Sequence, residues 1–135
     1  MARIKSRFHA VDLGPLPVEI VGSVLRLNLV RGIVHFSAAN QEHAFRRHGE
    51  NFLACLPHVT ATILAPEYIG QSTLYPKGFE MVRATDDLSD IGGYILVAMT
   101  LEIDEVERYI VQSVYPIDRG AVFRRLRKDH LFSVG

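Results

Sequence analysis

Past residue 77 this chain changes its hydrophobic period, and that change constrains the fold more than any other feature. Residues 78–84, 93–103 and 108–117 alternate or run apolar and are rich in β-branched and aromatic side chains, the pattern of strands. The polar stretches 86–90 and 104–107 separate them, a spacing that suits an antiparallel meander. The first half reads as helices. Val21, Val24 and Leu25 fit helical spacing, and Pro17 suits a first helical position, which predicts a short helix within 18–27. Residues 32–36 are extended. Ser37 is placed to cap a helix over 38–48, and Gly49 to end it. A second helix covers 50–64 with a break near Pro57, and 65–70 turns the chain out of it. A last helix starts at Arg119 or Gly120 and reaches Lys128. Residues 1–16 are expected to be an irregular lead-in, punctuated by Gly14-Pro15 and Pro17. Helices first and strands later predict an α+β fold, with N-terminal helices packed on one face of a C-terminal antiparallel sheet.

With 135 residues, 48% of them hydrophobic, the chain suits one domain over 1–135 with one packed core. No apolar run approaches the ~20 residues that span a bilayer. No signal-peptide stretch follows the charged start, so a cytoplasmic location without membrane partners is expected. The single cysteine, Cys55, excludes an internal disulfide and sits among Phe52, Leu53 and Leu56 as a buried thiol would. Net charge is zero but unevenly spread: residues 1–47 carry about +4, residues 48–118 about −8, and residues 119–135 about +4. If the two basic ends met in space, they would form one face attractive to an anionic polymer.

The chemistry concentrates at His43-Ala44-Phe45-Arg46-Arg47-His48. On a helix, Asn40, His43 and Arg47 are three and four residues apart and share one face, while Phe45 points to the core. Imidazoles accept and donate protons near neutral pH, and a guanidinium holds a phosphate with two parallel hydrogen bonds. Strict alternation in 109–115 places Tyr109, Val111, Ser113 and Tyr115 on one strand face. The two hydroxyls of Ser113 and Tyr115 either line a site or lie on the wet face of the sheet. Asp118-Arg119 and the run Arg124-Arg125-Leu126-Arg127-Lys128 offer either a solvated helix face or contacts to an RNA backbone. Metal chemistry is not indicated: the chain has no His-Glu-x-x-His, and its six histidines lack ligand spacing. Phosphate-loop, dinucleotide and Gly-x-Ser-x-Gly patterns are also missing.

In order along the chain come Ser37-Ala38-Ala39-Asn40, His43 with Arg47-His48, Leu56-Pro57-His58, Pro66-x-Tyr68-Ile69-Gly70, Gly78-Phe79-Glu80 and Ser113-x-Tyr115. This succession resembles the phage-associated Barnase–EndoU–Colicin–RelE-like (BECR-fold) nucleases, over roughly residues 32–128. The resemblance implies helices against a four- or five-stranded antiparallel sheet, and a ribonuclease that needs no metal and no cofactor. It implies a prophage or toxin setting, in which an inhibitor or immunity protein would be a partner. The matching site positions are His43, Arg47, His48, Ser113 and Tyr115. The chain departs from a free ribonuclease in its zero net charge, which a selective substrate or a basic partner domain would reconcile.

The expectation is therefore an endoribonuclease acting on RNA, tRNA among the candidates, by attack of the ribose 2′-OH to leave a 2′,3′-cyclic phosphate. His43 is expected as base or acid, His48 as its partner or support, and Arg47 as the phosphate clamp. Ser113 and Tyr115 would position phosphate or base, with Asn40, Arg46, Arg119, Arg124 and Arg125 contacting substrate. Tyr68 would stack on a nucleobase. The competing expectations are a noncatalytic binding module using the basic helix, and a nucleotide- or NAD-dependent transferase.

Overall fold

A computed structural model describes residues 7–71 and 75–135. Most of the helices lie where the sequence places them. Helix α1 spans Val18–Leu25, α2 spans Ala38–His48, α3 spans Glu50–Cys55, α4 spans Val59–Leu64 and α5 spans Arg119–Arg127. Their boundaries are set by local chemistry. The Ser37 hydroxyl accepts the Asn40 N–H at 3.0 Å, relieving one of the unpaired donors at the start of α2. Gly49 ends that helix at φ 58, a conformation that glycine adopts without steric penalty. Pro57 lies in a single 3₁₀ turn, Leu56–His58, between α3 and α4. Asp118 caps α5 by accepting the Ala121 N–H at 2.7 Å.

The strands differ more from expectation. Seven of them form one mixed sheet: β1 Val11–Pro15, β2 Ile33–Phe36, β3 Tyr68–Gly70, β4 Gly78–Ala84, β5 Gly93–Thr100, β6 Arg108–Asp118 and β7 Phe132–Ser133. Their order is β1-β2-β6-β5-β4-β3-β7. The meander β4-β5-β6 is antiparallel, as its pattern predicts. The sheet is not confined to the C-terminal half, however, nor wholly antiparallel. β2 joins it parallel to β6, through Ile33↔Arg108 and His35↔Ile110. The expected irregular lead-in is partly the edge strand β1, antiparallel to β2, where Asp12 meets His35 at 2.7 Å. The expected turn at 65–70 ends in β3, which pairs with both β4 and β7. Gly70 permits this, because a Cβ there would overlap the His130 carbonyl.

On one face of the sheet lies the main core. Val21 of α1, Phe52 and Cys55 of α3, and Val59 and Ile63 of α4 pack with Met81, Ile95, Val97, Met99, Val111 and Val114. Helices α1, α3 and α4 thus pack on one face, while α2 gives Ala44 to this core and its other side to the opposite face. Burial pushes the Cys55 thiol up to about 12, the behaviour of an inert core thiol. Alternation sends Val82, Leu96 and Ile117 to the opposite face, where Val122 of α5 and Leu131 cover them. α5 covers only one end of that face.

Strand β6 contains the fold's most consequential irregularity. Ala98 pairs with Ser113, but Met99 pairs with Val111, so Gln112 is an extra residue. The bulge breaks the strict alternation expected for 109–115. Tyr109 and Val111 enter the main core, whereas Ser113 and Tyr115 turn to the opposite face, towards His43, Arg47 and His48 of α2.

Candidate active site

Beyond the end of α5 the second sheet face opens into a cleft of about 730 Å³. Its floor follows from register. Glu80, Ala98 and Ser113 lie side by side across β4, β5 and β6, and Val82, Leu96 and Tyr115 form the next row towards α5. Small side chains at Gly78, Ala98 and Ser113 keep the floor low.

Helix α2 supplies one wall. β2 pairs with β6 only as far as Ile110, and the next carbonyl, Val111, accepts from Asn40 Nδ2 at 2.9 Å. That bond sets α2 alongside the part of β6 that β2 leaves free. Helical spacing then brings Asn40, His43 and Arg47 onto the cleft, with His48 beside them. The His48 ring stacks on Tyr115, with centroids 4.8 Å apart and planes at 19°.

The electrostatics centre on this stack. Burial holds the His48 pKa below its ordinary value, and the charges of Arg47 and His43 act in the same direction. Its imidazole is therefore biased towards the neutral form. Glu80 is buried, at 9% exposure. Burial raises its pKa, while Arg125 and His130 pull it back. Its ion-pair partner is Arg125 of α5, at a loose 3.9 Å from Nε to Oε1. Burial and the Glu80 charge also raise the Tyr115 pKa, against Arg125, which hydrogen bonds the phenol, and against Arg47. A carboxyl, an imidazole, a phenol and two guanidiniums thus act on one another in one partly desolvated site, the kind of setting in which functional groups are tuned.

Of the side chains singled out from sequence, Asn40, His43, Arg47, His48, Ser113 and Tyr115 line this cleft. Arg125 joins them at the Tyr115 end. The others lie elsewhere. Arg46 is exposed and outside the lining. Tyr68 packs against the second apolar cluster under α5, because β3 belongs to the sheet rather than to a loop over the cleft. Arg119 lies over the Phe123 ring at 5.1 Å, and Arg124 is exposed on α5. Sequence reasoning missed Glu80, Thr100 and Gln112 as lining residues. Glu80 had a usable signal: it is the lone acid inside the apolar strand run 78–82. A second groove, of about 510 Å³ beside α1, has Glu19 and Arg26 as its charged lining residues and assembles no comparable cluster.

Among the described residues, no group of three or more His, Cys, Asp or Glu side chains is placed to hold a metal ion. No described helix is long and apolar enough to cross a membrane. Comparison with protein-family models, with curated proteins and with solved structures found no match.

Proposed function

We propose that the chain is an endoribonuclease of the BECR type that cleaves RNA by internal transfer without a metal. The observation that carries this reading is the meeting of His43, Arg47 and His48 from α2 with Ser113 and Tyr115 from β6, across a floor that holds Glu80. These groups supply what cleavage by 2′-OH attack requires: a base, an acid and cations for the phosphate.

In the proposed reaction, the attacking O2′ and the leaving O5′ lie on opposite sides of phosphorus. Base and acid must therefore flank the phosphate. His48 stands on the α2 wall and Glu80 on the sheet floor, and in this reading the phosphate lies between them. His48, biased to its neutral form, takes the 2′-OH proton as O2′ bonds to phosphorus. Glu80, biased towards its protonated form, gives its proton to O5′ as the P–O5′ bond breaks. The products are a 2′,3′-cyclic phosphate and a 5′-hydroxyl. Arg47 and Arg125 offset the charge that builds on the phosphate oxygens, with His43 at the exposed mouth and Ser113 on the floor positioning it. This arrangement moves the proton-transfer role from His43, favoured by sequence, to the more buried His48.

The test is incubation with single-stranded RNA, tRNA and mRNA in excess EDTA, with end-group analysis of the fragments. Cleavage leaving cyclic phosphate ends is expected. RNA left intact across all substrates overturns the reading. Loss of cleavage by about 10²- to 10⁴-fold is expected in His48→Ala and in Glu80→Gln, the range for removing one acid or base.

A further inference from the structure

The two ends of the cleft differ chemically. Charge gathers at the end nearest α5, around Tyr115, Glu80 and Arg125. The opposite end presents neutral donors and acceptors, and Gln112 is the most informative of them.

Gln112 occupies the bulge of β6 and has no partner on β5. Val111 just before it and Val114 two residues after it are wholly buried, yet Gln112 is exposed in the cleft. A bulge in an interior strand re-aims one side chain at the expense of ladder pairing. Here it directs an amide across β5 towards Gly78, where a Cβ would stand 3.4 Å from the Gln112 Oε1. The neighbouring hydrogen bonds, Asn40 to Val111 and Ile110 to Thr100, do not engage that amide. Thr100 lies at the same end. Its Oγ1 accepts from the Ile110 N–H at 3.0 Å, and its own hydroxyl proton remains available to donate.

An amide offers one acceptor and one donor side by side in a plane. That is the complement of a nucleobase edge, and glutamine can engage such an edge at two points. Gln112 and Tyr115 are three residues apart on extended backbone, about 10 Å at roughly 3.3 Å per residue. A nucleoside 3′-phosphate spans such a distance from base edge to phosphate. Resting on the ribonuclease reading above, we propose that Gln112 is a specificity-determining residue. It reads the edge of one unpaired nucleobase whose 3′-phosphate lies between His48 and Arg125. The base must be unpaired, because the edge that Gln112 engages lies at the bottom of a cleft that only a splayed nucleotide enters.

The experiment uses four short single-stranded fluorogenic RNAs that differ only in the base 5′ to one cleavable linkage. Wild type is expected to discriminate between best and worst base by about tenfold or more in kcat/KM. Gln112→Met keeps the side-chain length and removes the amide, and is expected to collapse that ratio to within about twofold. Should Gln112→Met fail to fold, Gln112→Glu loses the donor, keeps the shape and supplies the same comparison. No base preference in wild type, or an unchanged ratio in the variant, overturns the inference and leaves RNA cleavage standing. If wild type cleaves no RNA, the ribonuclease reading falls. Calorimetric titration with the four nucleoside 3′-monophosphates then decides the inference by itself. Base-dependent affinity that Gln112→Met erases supports it; equal affinity or no binding overturns it.

Discussion

One face of β4, β5 and β6 carries Phe79, Met81, Ile95, Val97, Met99, Val111 and Val114, all buried beneath helices from the first half of the chain. The other face begins in the same way, with Val82, Leu96 and Ile117 buried against α5. One row further on stand Glu80, Ala98 and Ser113, beside a cleft. The same strands carry both faces, so strand identity does not explain the difference. Cover does. α5 is nine residues long, and the sheet beyond its reach carries small and polar side chains, because large apolar ones would remain exposed there. The closed face holds the fold together, and the open half-face is available for chemistry. Substitutions on the two faces should separate stability from activity.

The largest separation should come from the proton-transfer groups. His48→Ala and Glu80→Gln should remove about 10²- to 10⁴-fold of RNA cleavage while retaining a cooperative thermal transition. Coincident loss of activity and of folding would erase the contrast between faces. On the closed face, Phe52→Ala should cost about 3–5 kcal/mol in denaturant unfolding, since Phe52 is wholly buried and stacks edge-on against Phe36 at 6.1 Å. Ser113→Ala on the open half-face should cost only about 0.5 kcal/mol, and a similar loss at both sites would show that the cleft floor is part of the core.

The contrast sharpens with pH. His48 titrates below its ordinary 6.5 in the folded chain. The stability it contributes is complete above that value and is lost as pH falls through the folded pKa. Glu80 behaves oppositely. Its folded pKa lies above its ordinary 4.5, so its contribution is complete below that value and is lost as pH rises through the folded pKa. Above pH 4.5 the unfolded chain therefore gives up this proton more readily than the folded chain does, which opposes folding. Glu80→Gln should stabilise the chain by about 0.5–2 kcal/mol at pH 7, and the gain should vanish by about pH 4. Thermal unfolding across pH 4–8 checks both limbs, and a variant less stable than wild type at pH 7 would make Glu80 a structural ion-pair partner. The caps act on the contrast only indirectly. Ser37→Ala and Asp118→Ala should each cost about 1 kcal/mol. The first loosens the cleft wall and the second the cover on the neighbouring rows, so kcat/KM should fall further for Ser37→Ala than for Asp118→Ala.

The helices were legible because their signals are local. Ser37 and Gly49 bound α2 through contacts within a few residues, and spacing along that helix put Asn40, His43 and Arg47 on one side. The meander was legible for the same reason, since alternation in each strand reports its own burial. β1, β3 and β7 were not, because they are short edge or near-edge pieces whose identity depends on partners distant in sequence: β2 for β1, β4 and β7 for β3. Tyr68 was misplaced on that account: a turn would have freed its ring, and a strand packs it, half-buried, beside α5.

By itself, the sequence determined the α+β composition, the cap residues, and the clustering of His43, Arg47 and His48 on and beside one helix face. Only the tertiary structure decided what stands opposite that face. The bulge at Gln112 reverses the facing of β6 midway, so that Val111 enters the core and Ser113 and Tyr115 reach the cleft. The register of β4 with β5 sets Glu80 in the same row as Ser113, and α5 brings Arg125 to its carboxyl. Helical phase is a short-range property that a run of residues encodes alone. Register, bulges and the reach of a covering helix are settled by packing between segments that the sequence keeps far apart.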